Sequence, residues 1–422
     1  MESTRSLRWL YLIGVIGAVT LLAGVTAAAS AGKTEDAAPT TKAARTTVTL
    51  AGWSLAGNRA EQNALLRTIA QFERRNPNID VDYQAIAGDY DAAMLARFAA
   101  RRPPDVFYVD SLDVPDYLPA LEPLNDDIRR NKFATKPFFP RLLSAFRVRG
   151  QIYGFPKDWS SLGLVANTQM LTAAGIRTPP KTWAQFTSAL QRLRARNAVP
   201  NGAPACLSLD WARILAFVYQ NKGAWLNPAR TRSLINSPAN RATVTQYLSW
   251  IRSGLARTPA QLGVGWCGQA LGEGKAAFIF EGNWVVGFMQ TGFSNVRYRI
   301  YPMLRQKAGG NLAFTVAYSI GRFSSKKAAA WRLLAFLTGP VGMRTWTSGG
   351  IALPSRSDVR VPPGRGAFVN AAPSSRPWQF VSGFDRVVDL AGKELEATFE
   401  GNQTVAEMLQ KIDTATKEAL ER

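Results

Sequence analysis

The sequence predicts an α/β protein of two lobes, each built on a doubly wound sheet. Three observations lead there. The chain has 422 residues, more than one hydrophobic core ordinarily spans, so two units of roughly 150–200 residues are expected. Its apolar fraction of 46%, with 12 Trp and 21 Phe, supplies core material and excludes a mostly disordered chain. The stretch 47–110 reads β-α-β-α-β, the order of a parallel sheet.

The first strand is Thr47-Val48-Thr49-Leu50, β-branched in composition. A turn at Ala51-Gly52-Trp53 follows. A helix starts at Asn58 with Glu61 three residues on in capping-box position, and carries Leu65, Ile69 and Phe72 on one face. Asn76-Pro77 ends it. Residues 79–83 alternate as a second strand, a helix is expected near 89–101, and Asp105 to Asp110 reads as a buried strand closing on a carboxylate. Trp53 and Asp110 thus fall at the carboxyl ends of strands, where such sheets bind ligands. Further on, helices are expected over Trp183–Arg196, Trp211–Gln220, Ala328–Thr338 and around Val405–Ile412.

At the N-terminus, Arg5 and Arg8 precede an uncharged stretch from Trp9 to Gly32 that ends Ala29-Ser30-Ala31. That is the pattern of a secretory signal; it is also long enough for a membrane anchor. Residues 1–31 are assigned to signal peptide or N-terminal anchor, with cleavage near 31 favoured. Residues 32–46, an Ala/Thr/Lys tract, read as a flexible linker. No Cys precedes Cys206, so no lipobox is available. An exported chain with two cysteines invites a Cys206–Cys267 disulfide, with two separate buried thiols as the alternative.

The formal net charge is +21, yet the chain has no His. Lacking His, it cannot perform Ser-His-Asp or Cys-His catalysis and has no His-based zinc site. The basic residues are scattered in short clusters, such as Arg101-Arg102 and Arg192 to Arg196. They do not interleave with aromatics as a nucleic-acid groove requires, so they are read as a solvated surface.

Several segments resemble, in order, family 1 of the extracellular solute-binding proteins, which includes maltose-binding protein and other sugar receptors of ABC importers. They are Pro-Pro-Asp-Val-Phe-Tyr-Val-Asp at 103–110, Tyr-Gly-Phe-Pro-Lys-Asp-Trp-Ser at 153–160, Asp-Trp-Ala-Arg at 210–213, Gly-Lys-Ala-Ala-Phe-Ile-Phe-Glu-Gly-Asn-Trp at 274–284 and Gly-Ile-Ala-Leu-Pro-Ser-Arg at 350–356. The resemblance covers about residues 47–422. It implies a type II periplasmic-binding-protein fold whose lobes are joined by a three-fold hinge, with crossings near 157–162, 298–302 and 348–352. The N-terminal lobe would combine 47–157 with 300–350, and the C-terminal lobe 158–299 with 351–422. A monomer is expected, with a carbohydrate ligand, permease subunits as partners, and neither cofactor, metal nor nucleic acid.

A sugar needs flat aromatic surfaces for its C–H faces and polar tips for its hydroxyls. The expected ligand-binding set is Trp53, Asp110, Asp158, Trp159, Asp210, Trp211, Trp266, Glu281, Asn283, Trp284, Tyr318 and Trp378. Trp183, Trp225, Trp250 and Trp331 sit inside helical patterns and are assigned to packing. No catalytic residue is assigned. Two alternatives stand beside the receptor: a glycosidase using two of the carboxylates, and a surface adhesin for anionic polymer.

Overall fold

The computed structural model describes residues 45–55, 59–350 and 352–421. The signal or anchor segment, most of the linker and the cap at Asn58 lie outside the described residues. No helix among them is long and apolar enough to cross a membrane.

The first half folds as expected. Strands β1 (Thr46–Trp53), β2 (Ile79–Ile86) and β3 (Val106–Asp110) are parallel, in the order β2-β1-β3. Helices α1 (Arg59–Arg75) and α2 (Tyr90–Ala99) make the crossovers. The expected turn at 51–53 is instead strand, because Trp53 pairs with Ile86. Gly52 is needed there: a Cβ would sit 2.6 Å from the Tyr108 ring. Successive residues of these strands enter two separate cores. Leu50, Val106 and Tyr108 pack in one; Ala51, Phe107 and Val109 pack in the other.

The chain then runs along β4 (Phe155–Ser161) and, after Leu162, into β5 (Gly163–Asn167) of the second sheet. That sheet adds β6 (Ala203–Cys206), β7 (Ala256–Arg257), β8 (Ala276–Glu281) and β9 (Tyr298–Tyr301), in the order β9-β5-β8-β6-β7. Its parallel strands are β8, β6 and β7. Helices α3 (Trp183–Ala195), α4 (Trp211–Gln220) and α5 (Pro238–Arg252) pack their apolar residues into its larger core. Trp183, Trp225 and Trp250 belong to that core and Trp331 to a first-lobe core.

The long strand β10 (Asn311–Ile320) returns the chain to the first sheet, antiparallel to both β3 and β4. A short strand β11 (Ser375–Pro377) pairs with its start. Both sheets are therefore mixed at the hinge, since strands that carry the chain back must run antiparallel. The passage of the chain between the two sheets runs from Tyr301 to Asn311. Helices α6 (Trp284–Gly292), α7 (Lys327–Thr338) and α8 (Pro340–Thr347) follow in sequence order around it. Residues 352–359 touch cores on both sides: Ala352 and Val359 pack in a first-sheet core, and Leu353 packs in a core shared with Phe368 and the second sheet. Ser357 donates to the Pro137 carbonyl, Phe139 donates to Ser355, and Val359 joins a first-lobe core. Phe368 follows in the same core as Leu353. Helices α9 (Asp385–Glu400) and α10 (Val405–Glu421) then close the second lobe.

Cys206, at the end of β6, is bonded to Cys267 with Cα atoms 5.4 Å apart. The bond spans a sequence separation of 61, a constraint on the unfolded chain of about 4 kcal/mol in the chain-entropy model.

Candidate functional site

Strands β1, β3 and β8 end on Trp53, Asp110 and Glu281. In the first lobe, β1 ends on half-buried Trp53, whose ring lies edge-on to Tyr108 at 5.0 Å and Tyr90 at 5.8 Å. Tyr318 of β10 lies edge-on to Tyr108 at 5.4 Å. Burial pushes the hydroxyls of Tyr90, Tyr108 and Tyr318 well above their ordinary range, so they stay protonated donors. Asp110 closes β3, and its Oδ1 accepts the Leu112 amide at 2.9 Å; it shapes the turn that leaves the strand.

Lys157 and Asp158 sit beside this cluster on β4. The ladder with β10 jumps here: Val316 faces Asp158 and Ala317 faces Pro156, leaving Lys157 as a β-bulge. Neighbours on a regular strand point to opposite faces; a bulge re-aims one of them. The Lys157 ammonium, only 2% exposed, thereby reaches Asp158 Oδ2 at 2.5 Å. It lies 4.3 Å from the Trp346 ring centre, 4.9 Å from Tyr108 and 5.9 Å from Trp53. Trp346 Nε1 donates to the same Asp158 oxygen at 2.9 Å.

In the second lobe, Glu281 ends β8 and is fully buried. Asp210 lies beyond the end of β6 and caps α4, accepting the Arg213 amide at 2.8 Å. One turn in, the Arg213 guanidinium bonds Asp210 Oδ2 at 3.0 Å and Glu281 Oε2 at 2.6 Å. Trp284 Nε1 donates to that Glu281 oxygen at 2.8 Å. Burial pulls the Arg213 pKa down, but the two carboxylates outweigh it and hold the group charged. Burial also raises Glu281, opposed by Arg213 and the Trp284 bond. From Trp159 to Tyr301 the acidic residues are Asp210, Glu273 and Glu281 alone, and two of these three are buried around Arg213.

Strand β10 joins the two clusters. Phe314 lies edge-on to Trp284 at 5.5 Å, and Tyr318 meets Tyr108. The two residues share parity, so they share a face of one strand about 13 Å apart at a 3.3 Å rise. Trp53, Asp158, Glu281, Trp284 and Tyr318 of the expected set therefore belong to one strip across both lobes.

Other members of the expected set lie elsewhere. Trp159 is 2% exposed, with its indole N–H on the Pro354 carbonyl at 3.0 Å. Trp211 is likewise 2% exposed, bonded to the Ala391 carbonyl at 2.9 Å and packed on Trp225. Both are core residues and offer a ligand no surface. Asn283 is a hinge stitch: its amide donates to Ser160 Oγ at 2.8 Å and its side chain to the Gly350 carbonyl at 3.1 Å. Trp266 packs edge-on to Phe288 beside the disulfide. Trp378 is tied by its backbone to Ala313 of β10 and, through its carbonyl, to Ser111, beside the strip. A hollow lined by Leu118, Leu121, Tyr153 and Arg322 contains none of these residues.

Sequence reading missed Lys157, Arg213, Phe314 and Trp346. Arg213 was within reach: a cation three residues after a helix-capping Asp, in an otherwise acid-free stretch, is a candidate ion pair. Trp346 carries no such signal, standing 188 residues from Asp158.

The family model for bacterial extracellular solute-binding proteins matches residues 56–344. The melibiose/raffinose/stachyose-binding protein MelE of Bacillus subtilis is 27% identical over 150 residues, 35% of this chain. That alignment spans only about a third (34%) of MelE. Among solved structures, an ABC substrate-binding protein of Listeria monocytogenes in complex with cycloalternan superposes with TM-score 0.79 at 21% identity, over 89% of this chain and 99% of that one. The sugar-binding protein MalE of Xanthomonas citri superposes with TM-score 0.78 at 23% identity, over 89% and 98%.

Proposed function

This chain belongs to the bacterial extracellular solute-binding proteins, and from that premise we propose that it is the extracytoplasmic receptor of an ABC importer. It holds a mono- or oligosaccharide between its lobes and passes it to the membrane permease. The observation that carries this reading is the strip along β10, with aromatics and carboxylates on both sides of the hinge. Hinge closure would bring Trp53 and Trp284 onto opposite sides of a sugar. The MelE relative makes melibiose, raffinose and stachyose the first ligands to try.

The carboxylates of the strip are already engaged by Lys157 and Arg213, an arrangement suited to holding hydroxyls. The lobes' exposed Arg and Lys take no part in the strip. Titration calorimetry against a panel of neutral oligosaccharides should therefore find a ligand whose affinity changes little between low and high salt, since screening acts on exposed charges. That ligand should be recovered uncut. A steep loss of affinity with salt would replace the neutral sugar with an anionic one; cleavage products would replace the receptor with a hydrolase.

A further inference from the structure

The end of the first sheet away from the strip carries a surface that sugar binding does not use. β1 and β3 are parallel, with Leu50 beside Val106. β10 runs against β3, with Ile320 beside Val106. The entry of β1 at Thr46, the run 101–104 ahead of β3 and the exit of β10 at Gly321 therefore share one pole of the lobe. Side chains tie them together. Lys326 Nζ donates to the Thr47 carbonyl at 2.7 Å, and Ser324 Oγ donates to buried Asp105 at 2.6 Å. The Arg101 guanidinium lies 5.7 Å from the Phe323 ring centre.

Three features set this pole apart. Phe323 is 46% exposed, one of three large apolar side chains so exposed among the described residues. Around it the unmatched charges have one sign. Asp105 is held by Lys326, Glu122 by Lys327 and Asp80 by Arg45, while Asp126 and Asp127 pair with Arg129 and Arg130 of their own helix. Exposed Arg101, Arg102 and Arg322 have no acidic partner among the described residues. Arg101 even occupies the left-handed position after α2, at φ 53°, which ordinarily goes to Gly. Beside Phe323 lies the hollow of about 330 Å³ lined by Leu118, Pro119, Leu121, Tyr153 and Arg322, an apolar floor next to the cations.

We propose that this pole docks on an anionic phospholipid bilayer, with Phe323 in the headgroup region and Arg101, Arg102 and Arg322 against lipid phosphates. An aromatic ring ringed by cations suits the membrane interface, where apolar burial and attraction to anionic lipid add. A soluble polyanion would engage the cations and gain nothing from the ring. The described chain also enters the fold at this pole. An anchor formed by the apolar stretch ahead of Gly32 would therefore deliver this end to the bilayer. β1 spans eight residues from the pole to Trp53, which keeps the strip roughly 25 Å from the lipid and open to solutes.

The test uses residues 32–422, which hold every described element but not the apolar stretch, so that stretch plays no part. The protein should co-sediment with vesicles of equal parts phosphatidylglycerol and phosphatidylcholine, and not with phosphatidylcholine alone. Combining Arg101→Gln, Arg102→Gln and Arg322→Gln should weaken binding about a hundredfold, or about fivefold per cation. Phe323→Ser should weaken it about tenfold. Combining Arg192→Gln, Arg194→Gln and Arg196→Gln removes the same charge from the end of α3 in the other lobe, and should change binding by less than about threefold. All seven side chains are exposed, so melting temperatures should stay near wild type. No binding to the anionic vesicles would overturn the proposal. So would equal losses in the two triple variants, which would mean a cationic protein attracted to lipid without a face. Unchanged vesicle binding in Phe323→Ser, with inorganic polyphosphate bound as tightly as the vesicles, would give the pole to an anionic polymer and overturn it too. None of these outcomes bears on the sugar-receptor reading, whose test contains no lipid.

Discussion

Trp284→Ala should weaken carbohydrate binding by about 30- to 1000-fold, the consequence of losing roughly 2–4 kcal/mol at a buried aromatic anchor. Three functions meet in that one side chain. Its ring is half-buried and meets Phe314 edge-on. Its N–H holds Glu281 Oε2, so truncation also frees a carboxylate of the strip. It stands at the start of α6, at the carboxyl end of β8, where the sheet opens to the hinge. Trp211→Ala is the matched control. That residue is 2% exposed in the core of the same lobe, so its loss should cost about 3–5 kcal/mol of stability while protein that remains folded binds close to normally. Calorimetry and denaturant unfolding on the two variants separate the roles. Equal affinity in Trp284→Ala and wild type would remove Trp284 from the site.

Arg213→Met should destabilise the protein by about 3–5 kcal/mol, because it leaves two carboxylates facing each other in a dry interior. Asp210 and Glu281 are 7% and 0% exposed, and the guanidinium between them is their shared counter-charge. The pH dependence follows from Glu281, which burial already raises against the opposing pull of Arg213. Without the arginine its folded-state value rises further. The folded form then holds a proton that the unfolded form has lost, so the variant's deficit is largest at neutral pH and shrinks as pH falls toward the ordinary carboxylate range, about 4. Adding Glu281→Gln should recover much of the loss, since removing both partners of a buried pair costs far less than removing one. Urea unfolding of the single and double variants, at pH 7 and pH 5, checks both statements. A deficit that is independent of pH and unrelieved by the second substitution would mean the arginine acts by packing alone.

Local chemistry explains what could be read from the sequence. The alternation and caps of 47–110 specify its strands and helices through neighbours a few residues away, and the structure follows them to within a few residues. Glu281 ends β8 and Trp284 follows just beyond it, a position that composition reveals. What was illegible depends on facing. Trp159 and Trp211 sit next to site carboxylates in the chain, yet strand alternation and helix rotation turn them into the core. Lys157 reaches the site only through a bulge, which is a property of the pairing with β10 and not of residues 155–161. Trp346 enters from a helix whose docking on the first lobe no local pattern encodes. Backbone bonds tie Ser355 and Ser357 to 137–139, partners more than two hundred residues away that no local pattern reveals.

The central claim is that a carbohydrate is gripped from both lobes along one face of β10. Hydrogen–deuterium exchange of the mature protein, with and without the best saccharide from the panel, tests it most directly. Ligand should slow exchange in segments of both lobes at once: around Trp53 and Asp110 in the first, around Lys157 and Trp346 beside the hinge, and around Arg213 and Glu281 to Trp284 in the second. The outer helices α3 and α10 should be unaffected. Protection confined to one lobe, or centred on the outer surfaces, would contradict the account.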